Sequence, residues 1–313
     1  MPHRLSVGII GLGRRWRRYR PALVGLRDRL VVRAVCDQRP DRAERAAREL
    51  GCAAAAGPTD LLDRDDVKAV LLLDAQWFGL WPVGQAARLG KPVFCAVPLS
   101  GDDAHAGEAT RQVHAAALPT MAASGPVLAP ALTRLRDLLT TRLGAPRLVR
   151  CDWCGPDRTA GPPGIRVLPG LMGACAGLLG GEPRSVWATA AEAARFVGVL
   201  LQFGDGKAAQ LNLWAGIGVR PACRFQAVTD AGNATAELPG TLSWRDGEGS
   251  HTIRAPRRPL PRLLLERFLD ALAAGAPPEP GFADAYRALL WARAARRSLA
   301  EGRRVDLDAE PRK

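Results

Sequence analysis

The chain has 313 residues, of which 47% are hydrophobic and 24% charged. This balance is typical of a soluble globular protein and excludes a disordered one, and the length exceeds that of a usual single hydrophobic core, so we expect two domains. The formal net charge of +13 comes from arginine, since lysine occurs only at Lys68, Lys91, Lys207 and Lys313, and it permits an acidic partner without identifying one.

Cysteine content and hydropathy bear on the location of the protein. Its seven cysteines are an odd number scattered over a long chain, which argues against a disulfide framework and favours a reducing compartment. No run of 18 apolar residues occurs, and the apolar stretch from Leu5 to Leu12 is too short for a signal segment. We therefore expect a soluble, cytoplasmic protein with no membrane partner.

Strands and helices alternate over the first 125 residues. Strands are predicted for RLSVGIIGLG, LVVRAVCD, VKAVLLLD and KPVFCAVP, and helices for RPALVGLRDR, RPDRAERAARELG, TDLLDRDD and GLWPVGQAARLG. This alternation predicts a parallel sheet covered by helices on both faces.

The pattern changes after Pro126. A helix is predicted for APALTRLRDLLTTRLG, strands for RLVRCDW, RSVWATA, RFVGVLLQF, AAQLNLWAG, ACRFQAVTD, TLSWRD and HTIRA, and helices for residues 259–274 and 282–301. The dipeptides Asp205-Gly206 and Asp246-Gly247 predict hairpin turns. We expect domains at residues 1–122 and 123–313, the second built on an antiparallel or mixed sheet with helices on one face.

The stretch GLGRRWRRYR, residues 11–20, permits two interpretations. Gly11 and Gly13 lie where the first strand ends and a helix begins, which is where a tight turn brings backbone N–H groups to a pyrophosphate. Asp37 ends the second strand 24 residues after Gly13, near the spacing at which a carboxylate binds adenosine ribose hydroxyls. Trp16 takes the third position of the usual glycine pattern, where its bulk predicts a wider turn or an impaired site.

The arginines of this stretch also resemble a nucleic-acid-binding strip. Arg14 and Arg15 directly follow the turn and could reach cofactor phosphates, while the other arginines are typical of a solvated helix face. Pro21 lacks an N–H and is predicted at the first helical position, which leaves residues 14–20 irregular. Because neither half of the chain contains a nucleic-acid module, we expect no nucleic-acid partner.

Over nearly its full length the chain resembles a known family, the glucose-fructose oxidoreductase, inositol dehydrogenase and MocA-like group (Gfo/Idh/MocA). The likeness shows in VGIIGLGRR, VVRAVCDQRPDRAERAAREL, DLLDRDDVKAVLLL, AARLGKPVFCAVPLS, GLLGGEPRSVWA and the closing LERFLDALAAGAPPEP and LLWARAARRSLAEGRRVDL. The resemblance implies an α/β fold with an N-terminal Rossmann domain, a doubly wound parallel sheet, followed by an α+β domain with an open, mainly antiparallel sheet. It also implies an NAD- or NADP-dependent oxidoreductase acting on a small molecule, and a homo-oligomer, either a dimer or a tetramer.

The turn and the resemblance together predict the cofactor contacts. These are Gly11, Leu12, Gly13, Arg14, Arg15, Asp37, Arg39, Gln76 and Pro98. Asp37 favours NAD because a carboxylate repels a 2′-phosphate, while Gln38 and Arg39 leave NADP open.

The resemblance also shows where the usual catalytic groups are missing. Members carry Glu-Lys-Pro where this chain has Ala96-Val97-Pro98, so that Val97 stands in place of the lysine that assists proton transfer. A Thr-Pro-Asn-x-x-His stretch has become residues 74–79, and an Asp-x-x-x-His-x-x-Asp pattern aligns onto Val167, Leu171 and Ala174, with Leu171 in place of the histidine. The catalytic residues therefore stay unassigned.

Replacement groups could come from a few polar side chains. The candidates are Asp74, Asp152, Cys154 and Asp157, although residues of these types are common in loops and at strand ends. Cys151 and Cys154 have C-x-x-C spacing without a second pair, so we expect no metal site. His105 and His114 lie in a polar helix, where a solvent-facing role is expected.

Two function classes stay open. One is an NAD(P)-dependent oxidoreductase acting on a sugar, a polyol or another small hydroxyl or carbonyl compound, with an atypical active site. The other is a catalytically silent dinucleotide-binding or scaffolding protein of the same fold. A positioned base contributes roughly 10²- to 10⁴-fold to a proton transfer, so the loss of the lysine and the histidine bears directly on this choice.

Overall fold

A computed structural model describes residues 4–75, 78–99, 105–123, 126–156, 166–191, 195–216, 219–256 and 258–307. The chain divides into two compact units: unit 1 comprises Met1–Ser124 and Pro259–Tyr286, and unit 2 comprises Gly125–Arg258 and Arg287–Lys313. The sequence-based division placed residues 259–286 in the second domain, whereas in the structure this segment lies in unit 1. Among the described residues, no helix is both long and apolar enough to cross a membrane.

The strands and helices are numbered along the chain. The strands are β1 (Leu5–Ile10), β2 (Leu30–Cys36), β3 (Ala53–Ala54), β4 (Ala69–Leu72), β5 (Val93–Cys95), β6 (Thr120–Ala122), β7 (Leu148–Pro156), β8 (Ser185–Ala191), β9 (Phe196–Gln202), β10 (Ala208–Gly216), β11 (Ala222–Thr229), β12 (Gly232–Glu237), β13 (Thr241–Asp246), β14 (Gly249–Arg254) and β15 (Val305–Asp306). The helices are α1 (Arg14–Val24), α2 (Pro40–Leu50), α3 (Pro58–Leu62), α4 (Trp81–Arg88), α5 (His105–Ala115), α6 (Pro130–Leu138), α7 (Leu168–Leu179), α8 (Leu260–Ala273) and α9 (Phe282–Glu301). A π-helical turn, Leu139–Leu143, continues α6.

The sheet of unit 1 is parallel throughout its described strands, in the order β3-β2-β1-β4-β5-β6. The four strands predicted from sequence are confirmed, while β3 and β6 are too short to give a sequence signal. Strand order changes direction between β1 and β4, and open α/β sheets bind ligands at the carboxyl ends of strands beside such a switch.

Helix α1 begins at Arg14, directly after Gly13, and contains Pro21 in its interior. The prediction that Pro21 would start the helix is therefore wrong. The hydrogen bond that proline cannot donate would reach the carbonyl of Arg17, an exposed residue whose carbonyl water can solvate. Burial of the opposite side of the helix outweighs the loss.

The buried side of α1 packs against the sheet through aromatic contacts. The rings of Tyr19 and Phe94 lie 5.6 Å apart edge to face, and Phe94 contacts Phe268 of α8 at 5.7 Å. Burial raises the pKa of Tyr19 to about 12. These contacts, with the Arg29–Asp270 ion pair at 2.7 Å, explain why α8 belongs to unit 1.

Unit 2 is built on a mixed sheet, as predicted, in which the described strands follow the order β14-β13-β12-β11-β7-β10-β9-β8-β15. The central pair β7 and β10 is parallel, and the other described pairs are antiparallel. Helices α6, α7 and α9 contribute to a core cluster on one face of the sheet. The other face exposes Trp187 and Trp214. Sequence reasoning missed α7, β12 and β15.

Candidate functional site

The glycine turn lies at the carboxyl end of β1, held between two neighbouring strands. The N–H of Gly11 donates to the carbonyl of Cys36 at 3.0 Å, and the N–H of Leu73 donates to the carbonyl of Ile10 at 2.9 Å. Gly11 has a φ of +84°, and a Cβ there would collide with the carbonyl oxygen of Asp74. Only glycine therefore fits the first position of the turn.

Asp37 fixes the turn from the end of β2. Its Oδ2 accepts a hydrogen bond from the N–H of Leu12 at 2.7 Å, and its Oδ1 accepts one from the N–H of Arg39 at 3.0 Å. The guanidinium of Arg42 lies 3.9 Å from Oδ1, and the Asp37 side chain is 0% exposed. The carboxylate that is predicted to bind ribose hydroxyls thus already accepts two backbone hydrogen bonds. A ribose hydroxyl would have to donate to the lone pairs of Asp37 that these bonds leave unused.

Arg39 is exposed and its guanidinium is bound to Asp41. Nε lies 3.2 Å from Oδ1 and Nη2 lies 3.1 Å from Oδ2 of that carboxylate. The arginine side chains beside Asp41 hold the pKa of its carboxyl below the usual range. The positive charge that would favour a 2′-phosphate is therefore already paired with an acid.

The amino end of α1 lies at the glycine turn. Gly13 caps the helix without a side-chain hydrogen bond, and the first turn carries no acidic residue. Unpaired N–H groups and the helix dipole make such an end favourable for an anion. Arg14 is exposed and Arg15 half-buried, so both lie in the first helical turn as the turn-binding prediction requires.

Trp16 lies in the first turn of α1 and is half-buried. It lines an open surface groove of about 550 Å³ with Arg17, Arg20, Val24 and Glu49, among others. The residues that pack α1 inward are Tyr19, Ala22 and Leu23. Trp16 lies on the helical stripe that also carries Tyr19 and Leu23, and the predicted effect of its indole on the site stays a prediction.

The remaining predicted cofactor residues are less well defined. Pro98 follows β5 and is exposed, at the same sheet edge as the glycine turn. Gln76 lies outside the described residues, so its predicted role stays a prediction.

The positions where the resemblance predicts proton-transfer groups carry apolar side chains. Val97 is 9% exposed in unit 1, and in unit 2 Leu171 and Ala174 of α7 are 2% and 1% exposed. Val167 precedes α7 and is exposed. None of these side chains can donate or accept a proton.

Two suggested replacement groups have ordinary structural partners in unit 2. Asp152 accepts from Arg150 at 3.0 Å and from Asn212 at 2.8 Å on the open face of the sheet. The thiol of Cys154 donates to the carbonyl of Arg220 at 3.3 Å. Cys151 and Cys154 are three positions apart on β7, so their side chains point to opposite faces and cannot share a metal ion. Asp157 lies outside the described residues.

Asp74 lies at the glycine turn, a position that sequence reasoning did not assign to it. It was considered as a replacement proton-transfer group, but a Cβ on Gly13 would overlap its Oδ2. Its carboxylate therefore lies against the glycine turn, beside the start of α1. Its position directly after a strand of the parallel sheet was the available signal, since strand ends meet at one edge.

A separate polar cluster on the β13–β14 hairpin contains Asp246, Glu248 and His251. The guanidinium of Arg142 binds both carboxylates, with Nε 2.6 Å from Asp246. His251 stacks on Trp244 with ring centroids 4.8 Å apart. Because Arg142 is paired with both acids, the cluster is explained as an anchor for the hairpin.

Comparison with known proteins adds to this geometry. Residues 5–118 match the model of an oxidoreductase family, Gfo/Idh/MocA, with an NAD-binding Rossmann fold. A dTDP-3,4-didehydro-2,6-dideoxy-alpha-D-glucose 3-reductase of Actinomadura kijaniata is 36% identical over 104 residues, which are 31% of this chain. The match spans only 30% of that reductase.

Solved structures resemble the whole chain. A Sinorhizobium meliloti protein assigned as a myo-inositol dehydrogenase is 25% identical with a TM-score of 0.80, covering 97% of this chain and 99% of that one. A UDP-N-acetylglucosamine 3-dehydrogenase from Acidithiobacillus ferrooxidans has a TM-score of 0.82 at 21% identity, covering 96% and 99% of the two chains. At 21% identity the second likeness shows the fold alone.

Proposed function

We infer that the chain belongs to the Gfo/Idh/MocA family of oxidoreductases, that it binds NAD and that it exchanges a hydride with a small sugar-like or polyol-like substrate. The substrate class is supported by the sugar reductase and the inositol dehydrogenase assignment among its relatives. The carbon that reacts would carry a hydroxyl group in one direction and a carbonyl group in the other.

The observation that carries this proposal is the hydrogen bond from Leu12 to Asp37, which joins the glycine turn to the end of β2. It supports the proposal because the backbone of the turn, an uncapped helix end and the Asp37 carboxylate meet at one sheet edge, beside the switch in strand order. Gly11 leaves the backbone open to a close phosphate, because a Cβ is excluded there. These residues fit a dinucleotide, although the carboxylate of Asp74 carries the same sign of charge as the diphosphate and would repel it.

The bound nicotinamide would supply or accept the hydride. In this proposal the turn at residues 11–13 holds the diphosphate, Arg14 and Arg15 add positive charge, and Asp37 orients the adenosine ribose. Arg39, Gln76 and Pro98 complete the proposed contacts. The proton that leaves the substrate hydroxyl has no assigned acceptor, since Val97 and Leu171 cannot take it.

NAD is the preferred cofactor in this proposal. The Asp37 carboxylate would repel a 2′-phosphate, and the Arg39 guanidinium that could attract one is paired with Asp41. Binding of NADP would require that pair to break.

The buried apolar side chains at positions 97, 171 and 174 favour a second candidate function. In it the protein binds the dinucleotide and performs no turnover. The two candidates share the turn and differ only in whether a proton-transfer group exists.

We further propose that the chain forms a dimer or tetramer through the open face of the unit 2 sheet. Trp187 is 54% exposed on that face, and Trp214 is exposed on the same face. Exposed tryptophans on a flat sheet are typical of interaction surfaces. Sedimentation of the full chain would test this assembly.

A thermal-shift titration tests cofactor binding first. Ligand at 100 times its Kd should add about 2.7 kcal/mol of stability, so NAD should raise the Tm at lower concentration than NADP. A panel of polyols, sugars and nucleotide sugars, read by absorbance of the reduced nicotinamide, then separates the candidates. Turnover supports the oxidoreductase, binding without turnover supports the silent protein, and no binding of either cofactor contradicts both.

A further inference from the structure

The carboxylate of Asp74 lies in contact with the glycine turn. The backbone of Asp74 continues β4, and its N–H approaches the carbonyl of Ile10 at 3.5 Å. A Cβ built on Gly13 would overlap Oδ2 of Asp74, so the carboxylate oxygen fills the space next to the Gly13 Cα. An acidic side chain therefore stands immediately before the first turn of α1.

This space is the approach that a diphosphate needs. An anion reaches the unpaired N–H groups of a helix end from the side on which the preceding glycine lacks a side chain. The partial positive charge of the helix end attracts a carboxylate as well as a phosphate. The two anions would compete for the same donors, and two negative charges a few ångströms apart repel each other.

The close approach to Gly11 does not depend on the charge of Asp74. The atoms that exclude a Cβ from Gly11 are the carbonyl oxygen, the N and the Cβ of Asp74, which any residue other than glycine would supply. The hydrogen bonds of the turn to Cys36 and Asp37 also do not involve it. Removing the charge at position 74 should thus leave the turn in place.

We propose that the Asp74 carboxylate is a built-in competing anion that weakens binding of the dinucleotide diphosphate to the glycine turn. This proposal rests on the proposed dinucleotide function. Arg14 and Arg15 bring positive charge to the same end of α1, and Asp74 offsets part of the attraction that they would exert on a diphosphate. To admit the diphosphate, the carboxylate must rotate away from Gly13.

The test compares ligand affinity across charge variants of the full chain. Calorimetric titration of NAD and of adenosine is carried out on the wild type, Asp74→Asn and Asp74→Ala, in buffer with EDTA so that no divalent ion bridges the two anions. Asp74→Asn keeps the side-chain volume and removes the charge, while Asp74→Ala removes both. Asp65→Asn is the matched control, because it removes an exposed carboxylate before the opposite end of β4.

We expect both Asp74 variants to bind NAD at least tenfold more tightly than the wild type. Adenosine, which carries no phosphate, should change less than twofold, and Asp65→Asn should match the wild type for both ligands. Melting curves without ligand verify that each variant is folded, and Asp74→Ser replaces any variant that is not.

The outcomes separate the two proposals. NAD binding by Asp74→Asn that equals or falls below the wild type, or a gain confined to Asp74→Ala, overturns the role of the charge while leaving dinucleotide binding intact. NAD binding by the Asp74 variants alone supports the competing-anion role in its strongest form. Failure of all variants to bind NAD or NADP overturns the proposed function itself, and this inference with it.

Discussion

The glycine turn of this chain is retained, whereas the side chains expected to transfer a proton are replaced by apolar ones. At the turn, Gly11, Leu12 and Asp37 keep a connected set of hydrogen bonds. At Val97 and Leu171, side chains that would carry charge in the resembling family are apolar and packed.

The difference reflects what each function requires. Phosphate binding at a helix end uses backbone N–H groups, so it needs glycines and strand geometry more than particular side chains. Proton transfer needs one titratable group within hydrogen-bond reach of the substrate, and a single substitution removes it. Binding and chemistry can therefore be lost separately, and the following variants test the two regions one at a time.

The largest expected effect is that of Gly11→Ala. The new Cβ would collide with the Asp74 carbonyl at a φ of +84°, so positive-φ strain and backbone overlap together should cost about 4 kcal/mol. Urea unfolding would measure this change, and NAD binding should be lost with the turn.

Gly90→Ala is the matched control for that variant. Gly90 also has a positive φ, +66°, but no atom lies within 4 Å of its virtual Cβ. We expect a cost of about 1 kcal/mol from backbone strain alone. Equal costs at positions 11 and 90 would show that contact with Asp74 is unimportant.

Asp37→Ala should have the next largest effect. It leaves the N–H groups of Leu12 and Arg39 without their acceptor in a buried turn, at a cost of about 3 kcal/mol. Asp60→Ala removes a comparable bond to the Ala56 N–H at 2.9 Å on an exposed turn and should cost about 1 kcal/mol or less. A stability of Asp37→Ala equal to that of Asp60→Ala would contradict a structural role for Asp37.

Alkaline pH tests the packing of α1 that holds the turn in place. Burial raises the pKa of Tyr19 to about 12, against about 10 in the unfolded chain. The contribution of the neutral phenol to the free energy of unfolding is therefore complete below pH 10 and is lost as pH rises towards 12. At pH 11 the loss is about 1.4 kcal/mol. Tyr19→Phe should remove this part of the pH dependence in urea unfolding at pH 8 and pH 11.

The buried thiol of Cys36 also makes the free energy of unfolding fall as the pH rises. Its pKa is also raised to about 12 by burial, so stability from this group is lost between about pH 9 and pH 12. Cys36→Ala therefore separates the two contributions. If the stability of Tyr19→Phe depends on pH as strongly as that of the wild type, the phenol of Tyr19 lies in solvent and not against Phe94.

The periodicity of apolar residues along the sequence made most of the fold predictable. The alternation of apolar strands and helices up to residue 95 gave the parallel sheet, and the hairpin signals at Asp205-Gly206 and Asp246-Gly247 gave two antiparallel pairs of the second sheet. Helix α7 was missed because its residues are apolar all round, so no amphipathic stripe marks it. The strands β3 and β15 have two residues each, too few to show a period.

Features that depend on tertiary contacts could not be read in this way. The preference of proline for a first helical turn predicted a late start for α1, but the glycine turn and the buried stripe at Tyr19 extend the helix back to Arg14. The contact between Asp74 and Gly13 joins residues from two strand ends, and no local pattern reports which way such a side chain points. The sequence therefore predicted the glycine turn, which the backbone forms, but not the side-chain contact of Asp74 with Gly13.

Val97→Ala should have the smallest effect. Valine has no titratable group, so its truncation should change NAD affinity, and the turnover rate on any substrate found in the panel, by less than twofold, or about 0.4 kcal/mol. The measurement is made well below the Tm, since loss of buried methyl groups lowers stability. A hundredfold or larger fall in the turnover rate would show that the packing of position 97 aligns the reacting groups, and the separation between binding and chemistry would then fail at that residue.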